Sequence, residues 1–287
     1  MAERVIDMSG WHDSLEDIEA SVLLEAVHRH WGFDFREYAP ASMRRRLAKR
    51  MHDESLESLS QLQHLVLHDR AAMERLLLDL SINVTAMFRD PMFYAAFREQ
   101  VVPLLRTYPY FRIWHAGCST GEEVYSMAIL LHEEGLLDRA RIYATDMNEK
   151  VLETARSGIF PIDQMKEHTS NYVRAGGTAA FSDYYLAKYD GALFHRFLSE
   201  HVVFARHNLV TDGPFNEFHV IVCRNVMIYF ASNLQARVHD MFSDSLVRRG
   251  VLALGSKESL RFTAQEESYD TLDPMWRIYR KRASLNE

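Results

Sequence analysis

The chain has 287 residues, of which 47% are hydrophobic and 25% charged, so it can bury one large core or two smaller ones. Its net charge of -7 argues against general affinity for nucleic acid. Only two cysteines occur, Cys118 and Cys223, which excludes a disulfide framework or a multi-cysteine zinc site and favours a reducing compartment. No apolar run approaches the ~20 residues of a membrane span and the polar amino terminus has no signal-peptide pattern, so we expect a cytoplasmic protein.

Residues 1–82 are predicted to form a small all-helical domain. In "DSLEDIEASVLLEAVHRHWG" apolar residues recur at spacings of three and four, and Gly32 follows as a C-cap. The stretches "SMRRRLAKRMHD", "LESLSQLQHLVLHD" and "RAAMERLLLDLSI" continue this pattern, and no alternating strand pattern interrupts them. Residues 83–109 are predicted to form a linker helix, with Asp90 as its N-cap and Pro91 in its first turn.

Residues 110–287 alternate between strand and helix patterns. The predicted strands are "FRIWHA", "ARIYATD", "HVVFARHN", "HVIVCRN", "GVLALGS" and "MWRIYRKR", and the predicted helices are Glu122 to His132, "NEKVLETARSG" and "NLQARVHDMFSDSLVRR". This alternation predicts an α/β domain with a mostly parallel, Rossmann-like sheet and helices on both faces, whose ligand lies outside the carboxyl ends of the strands. At about residues 165–205, the turn Asp190-Gly191 between two aromatic-rich runs predicts a small antiparallel β insertion.

The turn "AGCSTGEE" follows the first strand and has its glycines, Gly117 and Gly121, at the spacing G-x-x-x-G. It contains two overlapping capping-box patterns, one ending at Glu122 and the other at Glu123. Only one of the two glutamates can be the N3 residue of the helix, so one can cap it while the other faces a ligand; the sequence leaves open which does which. A carboxylate repels phosphate but suits a cation, which disfavours a nicotinamide dinucleotide and favours S-adenosylmethionine, since this molecule carries a sulfonium, an ammonium and no phosphate.

Asp146 ends the second predicted strand, where an acidic residue can accept hydrogen bonds from ribose hydroxyls. An aspartate that caps the next helix is also common at such a place. Turn and acid together predict an adenosine cofactor. No metal site is predicted, because the 14 histidines show no zinc-like spacing with cysteine.

Four segments together resemble the CheR family of S-adenosylmethionine-dependent methyltransferases, which esterify glutamates on bacterial chemoreceptors. They are "SINVTAMFRDPMF", "HAGCSTGEEVYSMA", "YATDMNEKVLETARSGIF" and "FHVIVCRNVMIYF", and the resemblance extends over nearly the whole chain. It implies that the helical domain is followed by a class I methyltransferase domain of residues 110–287 that carries the insertion.

The resemblance also implies a set of cofactor-binding residues. Asn83, Thr85 and Arg89 would lie over the cofactor and Gly117 beneath it, while Asp146 would bind the ribose. Glu123 or Glu122 would face the methionine end, Arg224 and Asn225 would lie under the methionine portion, and Asn208 and Leu209 would lie beside the adenine. Ordinary roles compete with these: a loop or cap for Asn83 and Thr85, an exposed helix residue for Arg89, and a turn for Arg224 and Asn225.

The reaction that the resemblance implies makes few chemical demands. A glutamate acceptor with a pKa near 4.3 is already ionised at neutral pH, so no general base is needed and positioning supplies the catalysis. Arg89 and Tyr229 are predicted as catalytic residues at this centre, although Tyr229 also suits the core.

The run "RRRLAKR" is either a solvated helix face or an electrostatic guide for an acidic helical substrate. Since the resemblance places the receptor against the helical domain, we favour the guide, and the predicted substrate-binding residues are Arg44, Arg45, Arg46, Lys49 and Arg50. The predicted function is methyl transfer to glutamates of the cytoplasmic helical domain of a methyl-accepting receptor, by a monomeric enzyme. The alternatives are a non-catalytic S-adenosylmethionine-binding signalling module and the same transfer to another acceptor.

Overall fold

The structure is a computed structural model that describes residues 14–81, 85–261 and 263–283. The chain divides into two compact units, Met1–Ile82 and Asn83–Glu287. In neither of them do the described residues include a helix with the length and apolar character that a membrane crossing requires.

The amino-terminal unit is helical, as predicted. Its helices are α1 (Leu15–Trp31), α2 (Pro40–Asp53), α3 (Leu59–His68) and α4 (Arg70–Leu80). Ser14 caps α1 by accepting a hydrogen bond from the Asp17 amide, and Gly32 ends it in the left-handed conformation at φ 79°. The helices enclose a core whose fully buried side chains include Leu23, Val27, Leu47, Leu62, Val66, Leu76 and Leu80.

The second unit is built on a seven-stranded sheet. Its helices are α5 (Pro91–Gln100), α6 (Val102–Leu105), α7 (Glu122–Glu133), α8 (Glu149–Ser157), α9 (Met165–Arg174) and α10 (Ser232–Ser245). Its strands are β1 (Phe111–Ala116), β2 (Ala140–Asp146), β3 (Ile159–Pro161), β4 (Tyr185–Lys188), β5 (Gly191–Phe194), β6 (Val202–Arg206), β7 (Phe218–Cys223), β8 (Leu246–Leu254), β9 (Tyr269–Asp273) and β10 (Ile278–Lys281). Short 3-10 helices lie at Leu137–Arg139, Ile162–Gln164, Phe181–Tyr184, Arg196–Leu198, Met227–Tyr229 and Glu266–Ser268.

The strands of the large sheet lie in the order β6-β2-β1-β7-β8-β10-β9, and the first five are parallel. Chain order reverses between β1 and β7, so right-handed crossovers place helices on both faces and open a crevice at the carboxyl ends of these two strands. β10 pairs antiparallel with β8 and β9. This is the Rossmann-like, mostly parallel sheet that the sequence predicts.

The small antiparallel sheet is also present, in the order β3-β5-β4. It begins at Ile159, before the expected start near residue 165, because β3 pairs with β5. Residues 202–205 belong instead to β6 in the large sheet, beside β2.

One helix boundary was predicted wrongly, and one strand was missed. The helix predicted through Arg249 ends at Ser245, because Leu246 pairs with Phe218 and continues as β8. β9 was not predicted, since its sequence, "YDTLD", is too polar to stand out as a strand. Asp90 is the N-cap residue of α5 and Pro91 lies in its first turn, as predicted, although the Asp90 side chain makes no capping hydrogen bond.

Candidate active site

The turn between β1 and α7 is pinned to the end of β2. The backbone N–H groups of Gly117 and Cys118 both donate to the carbonyl of Thr145, at 2.8 Å each. Gly117 has φ 79°, and a Cβ built on it would lie 2.6 Å from Val226 Cγ2, so only glycine fits beneath the 224–229 loop. The turn is therefore closely packed against its neighbours, and it lies where the chain order of the sheet reverses, between β1 and β7.

Neither of the two capping boxes predicted in this turn forms. The N-cap of α7 is Gly121, at φ 99°, so Glu122 and Glu123 are the first two residues of the helix and neither is N3. Glu122 is 5% exposed and accepts a hydrogen bond from Thr120 Oγ1 at 2.6 Å. Burial raises the pKa of Glu122, and the Thr120 hydroxyl opposes that rise.

Glu123 is held in an ion-pair network at the ends of β1 and β7. His115 Nδ1 donates to Glu123 Oε1 at 2.9 Å, and Arg224 donates to Glu123 Oε2 at 3.0 Å and to Asp90 Oδ2 at 2.8 Å. The Arg224 guanidinium also lies 4.0 Å from the ring centre of Phe93. Burial alone would raise the pKa of Glu123, but His115 and Arg224 outweigh it and hold that pKa below its usual value. Glu123 is thus an anion, fixed in orientation, with 18% of its side chain exposed.

Backbone amides from two neighbouring turns fix the Asp146 carboxylate by donating to both of its oxygens. Its Oδ2 accepts from the Ser119 amide and its Oδ1 from the Asn148 amide, each at 3.0 Å. The Met147 amide donates as well. Burial raises the pKa of Asp146 against these three hydrogen bonds. A carboxylate has about four acceptor positions, so this one can still accept from a ribose hydroxyl.

The segment before α5 reaches this site with a strained backbone. Phe88 and Asp90 have φ of 51° and 56°, in the left-handed region that such residues seldom adopt. The Phe88 amide donates to Ser126 Oγ at 2.8 Å, and Arg224 donates to the Arg89 carbonyl at 3.3 Å. Thr85 and Arg89 are half-buried here, while Asn83 lies outside the described residues.

Residues 224–229 follow β7 and are fixed by Glu258, which the sequence interpretation did not single out. Glu258 accepts from the amides of Asn225, Val226, Met227 and Gly255 at 2.6–2.9 Å. Asn225 has φ 62°, and Tyr229, half-buried, ends the 3-10 helix of this loop. The sequence feature that could have indicated Glu258 is the segment "GSKES", which directly follows β8 and contains this glutamate.

Asn208 and Leu209 follow β6, the neighbour of β2. The His207 amide donates to the Asp146 carbonyl at 3.1 Å, which joins this loop to the strand end that carries Asp146. Asn208 Oδ1 accepts from the Val210 amide at 3.0 Å, so its side chain is oriented by its own loop. The structure thus brings Arg89 and the cofactor-binding candidates from Gly117 to Asn225, together with Tyr229, to the carboxyl ends of β1, β2, β6 and β7.

Both cysteines are buried near this site. Burial raises the pKa of the Cys118 and Cys223 thiols well above the usual value. They remain protonated and poorly nucleophilic at neutral pH.

The predicted substrate-binding cations lie in the amino-terminal unit, on α2. Arg44 pairs with Asp17 at 2.6 Å, Lys49 with Asp53 and Asp79 at 2.8 and 2.9 Å, and Arg50 with Glu54 at 3.1 Å and with Asp79. Arg46 is 5% exposed and donates to the Leu80 carbonyl, so it holds α4 rather than presenting a charge. Arg45 is exposed and makes no ion pair with a described residue.

The donor set at the strand ends fits S-adenosylmethionine. Anionic Glu123 and the buried carboxyl of Glu122 suit a cationic ligand and oppose a phosphate, and the fixed Asp146 suits a ribose. The neighbouring Gly117 lets the backbone approach a ligand closely.

Comparison with known proteins agrees with this geometry. Residues 83–274 match the family described as "CheR methyltransferase, SAM binding domain", and residues 18–81 match "CheR methyltransferase, all-alpha domain". The chain is 48% identical over 265 residues to "Putative methyltransferase Cher3" of Pseudomonas putida, covering 92% of this chain and 97% of that protein. It is 30% identical over 255 residues to "Chemotaxis protein methyltransferase" of Listeria innocua, covering 86% and 92%. The chain therefore belongs to the CheR family of S-adenosylmethionine-dependent methyltransferases.

Proposed function

We propose that the protein transfers the methyl group of S-adenosylmethionine to glutamate side chains of a chemoreceptor-like helical protein in the cytoplasm, giving glutamate methyl esters. Several relatives carry the name "Chemotaxis protein methyltransferase", which favours an acceptor in a chemosensory system. Each ester removes one negative charge from the surface of the acceptor helix, so the product can change the packing of that helix.

One observation carries the choice of a carboxylate acceptor: the acidic groups of the described site residues are already engaged by the protein, including Glu122, which accepts from the Thr120 hydroxyl. Glu123 is ion-paired, Asp146 accepts three backbone hydrogen bonds, and the thiol of Cys118 stays protonated. An amine or hydroxyl acceptor needs to lose a proton, whereas a glutamate with a pKa near 4.3 is already a nucleophile at pH 7. The arrangement therefore suits an acceptor that arrives ionised.

S-adenosylmethionine, when bound, supplies a methyl group attached to a positively charged sulfur. In the proposed reaction Asp146 binds the ribose and Glu123 faces the cationic methionine end. Arg89 and Tyr229 stand on two separate loops that Arg224 and Glu258 hold in place. Their donors would orient the acceptor carboxylate in line with the methyl group and exclude water, which is where the catalysis would come from.

The proposed contact with the acceptor involves α2. Arg45 is the best candidate, because it is exposed and has no ion pair among the described residues. Arg44, Lys49 and Arg50 already share carboxylates with their own unit, so an acidic helix would have to compete for them. Arg46 is not part of the proposed contact, since its side chain is buried.

The experiment is methyl transfer from isotopically labelled S-adenosylmethionine to purified cytoplasmic fragments of chemoreceptors. We expect label that alkali releases as methanol, mapped to glutamates, because esters are base-labile. Tyr229→Phe should lower kcat by about 10-fold to 100-fold while leaving the affinity for S-adenosylhomocysteine within a few fold. Tyr189→Phe is the matched control, since Tyr189 is 88% exposed on the β4–β5 hairpin.

Two outcomes would contradict the proposed function, and a third would contradict the role of Tyr229. Cofactor binding without transfer to any fragment would favour a signalling module, and base-stable label would indicate a different acceptor atom. Equal activity of Tyr229→Phe and Tyr189→Phe would remove Tyr229 from the reaction centre.

A further inference from the structure

A basic cavity lies at the amino ends of β1, β2 and β7, at the edge of the sheet opposite the methyl-transfer site. It has a volume of 380 Å³ and is lined by Tyr110, Phe111, Arg112, Arg139, Ala140, Arg141 and His219. This volume falls within the usual range of small-molecule sites. At about 3.3 Å per residue, the six residues of β1 separate the two sites by roughly 20 Å.

The register of the strands places two arginines and a histidine side by side in one row. Arg112 on β1 is paired with Arg141 on β2. Because Ile113 pairs with Val220, His219 lies beside Arg112 on the other side, and the Arg112 amide donates to its Nδ1 at 3.1 Å. Like charges directly opposite on neighbouring strands repel each other, so this row is unfavourable unless an anion lies against it.

None of the three arginines is neutralised by a carboxylate within the part of the chain that the structure describes. Arg141 is exposed and makes no ion pair or hydrogen bond there, and Arg112 donates to the amide oxygen of Asn216. Arg139 donates to backbone carbonyls, those of Pro109 at 3.2 Å, Arg106 at 3.1 Å and Tyr108. Their charge is therefore available to a ligand, and Arg139 also fixes the turn that forms one wall.

Two acidic residues lie nearby in the sequence but do not line the cavity. Asp138 precedes Arg139, with its side chain fully exposed and 3.6 Å from His201. Glu217 lies two residues before His219 and is also exposed. Neither carboxylate closes the site to an anion.

Neutral groups complete the lining. Burial lowers the pKa of His219 and the charge of Arg112 lowers it further, against an opposing effect of Glu217, so the imidazole is neutral at pH 7. Its Nδ1 accepts from the Arg112 amide, which leaves the proton on Nε2 as a donor. Tyr110 is 75% exposed at the rim and presents an aromatic ring to solvent.

We propose that this cavity binds a nucleotide-sized phosphorylated ligand, whose phosphates lie against Arg112 and Arg141 and whose base stacks on Tyr110. Guanidinium groups form paired, charge-assisted hydrogen bonds with phosphate oxygens, and an exposed tyrosine is a suitable stacking surface. An anionic membrane is a poorer match, because such surfaces set several apolar side chains beside their cations. Among the lining residues only Tyr110 is a large exposed apolar side chain.

Calorimetric titration of the full chain with GTP tests this proposal, in saturating S-adenosylhomocysteine so that the methyl-transfer site is filled. We expect saturable binding that inorganic pyrophosphate competes for and that weakens as salt is raised. Arg141→Gln should weaken GTP binding about 10-fold, and Arg141→Glu more, because a charge-assisted hydrogen bond is lost. Since Arg141 makes no ion pair or hydrogen bond with a described residue, its replacement should leave S-adenosylhomocysteine affinity unchanged, which verifies the fold.

The matched control is Arg196→Glu, which makes the same change of net charge at a side chain that is 90% exposed on the inserted unit. The proposal is overturned if neither GTP nor pyrophosphate binds, or if Arg196→Glu weakens binding as much as Arg141→Glu. It is also overturned if the Arg141 variants lose binding to phosphatidylglycerol vesicles while nucleotide binding is absent, because the surface would then be a membrane contact.

Discussion

Asp146 shows how a single side chain can be positioned for a ligand before the ligand arrives. Three backbone amides donate to its carboxylate, and all three belong to the two turns that border the proposed ribose position. A group already fixed by its surroundings loses little conformational entropy on binding. We therefore expect it to contribute strongly to cofactor affinity.

Replacing this carboxylate should weaken cofactor binding. We predict that Asp146→Ala lowers the affinity for S-adenosylhomocysteine by at least about 30-fold, since it loses about 2 kcal/mol of charge-assisted hydrogen bonding. Calorimetry measures the change, and Asp138→Ala is the control because the Asp138 side chain is fully exposed at the other end of β2. An unchanged affinity in a folded Asp146→Ala protein would remove Asp146 from the ribose site.

Glu258 fixes the 225–227 loop through hydrogen bonds to its backbone amides, as backbone amides fix the Asp146 carboxylate. Its two oxygens accept four amides, and burial raises its pKa in spite of them. We predict that Glu258→Gln lowers the free energy of unfolding by about 1–3 kcal/mol, because an amide nitrogen then faces buried N–H donors. Chemical denaturation compares it with Glu267→Gln, an exposed site, and equal stability of the two variants would contradict this role.

At the scale of the elements, the β1–α7 turn packs directly against the loop after β7, where Gly117 contacts Val226. Gly117 has φ 79° and leaves no room for a Cβ beside Val226. We predict that Gly117→Ala weakens cofactor binding and stability, the backbone conformation alone costing about 1 kcal/mol. Thermal unfolding and calorimetry should show partial rescue in Gly117→Ala/Val226→Ala, which removes the clash but keeps the positive φ. Absence of any rescue would mean that the clash contributes nothing.

The elements themselves were largely predictable from the sequence, whereas the partners of their end residues were not. Buried strands such as "HVIVC" and amphipathic helices such as α1 are local patterns, so a short window reveals them. Asp90 is the N-cap residue that its local sequence predicts, yet its carboxylate binds Arg224, 134 residues away. Glu258 was missed for the same reason, since it is defined by a loop 31–33 residues distant. Contacts of this kind depend on which strand ends the sheet brings together.

Helix α10 gives the protein a pH-dependent contribution to stability. His239 is 2% exposed on this helix, and burial lowers its pKa to about 4, against a small opposing effect of Asp240. The unfolded chain takes up this proton near pH 6.5 and the folded chain near pH 4. The contribution of neutral His239 to the free energy of unfolding is therefore fully present above pH 6.5, and it falls by up to about 3 kcal/mol as the pH drops to 4.

A variant that cannot take up this proton should not show the loss. We predict that His239→Leu is more stable relative to the parent at pH 4 than at pH 7, by about 3 kcal/mol. Urea denaturation at the two pH values measures the difference. If the variant differs from the parent by the same amount at both, His239 does not cause the acid sensitivity.

At the scale of the whole molecule, the proposed functions are divided between two separately folded units. Every described candidate for cofactor binding and catalysis lies within residues 85–229, in the unit that has its own sheet and its own core. The candidate cations for the acceptor lie on α2, in the unit of residues 1–82, which has a core of its own. In the proposed function, this division would separate methyl transfer from the selection of the acceptor.

Removing the first unit should therefore separate binding from transfer. We predict that a chain of residues 83–287 binds S-adenosylhomocysteine within a few fold of the full protein, because it keeps the turn, Asp146 and both supporting loops. Methyl transfer to receptor fragments should be lost, since the α2 cations are absent. The charge variant Arg45→Glu in the full chain is the control that retains the unit, and it should raise KM for the receptor fragment without changing cofactor affinity. A truncated chain that methylates receptors at the full rate would show that acceptor selection belongs to the methyltransferase unit alone.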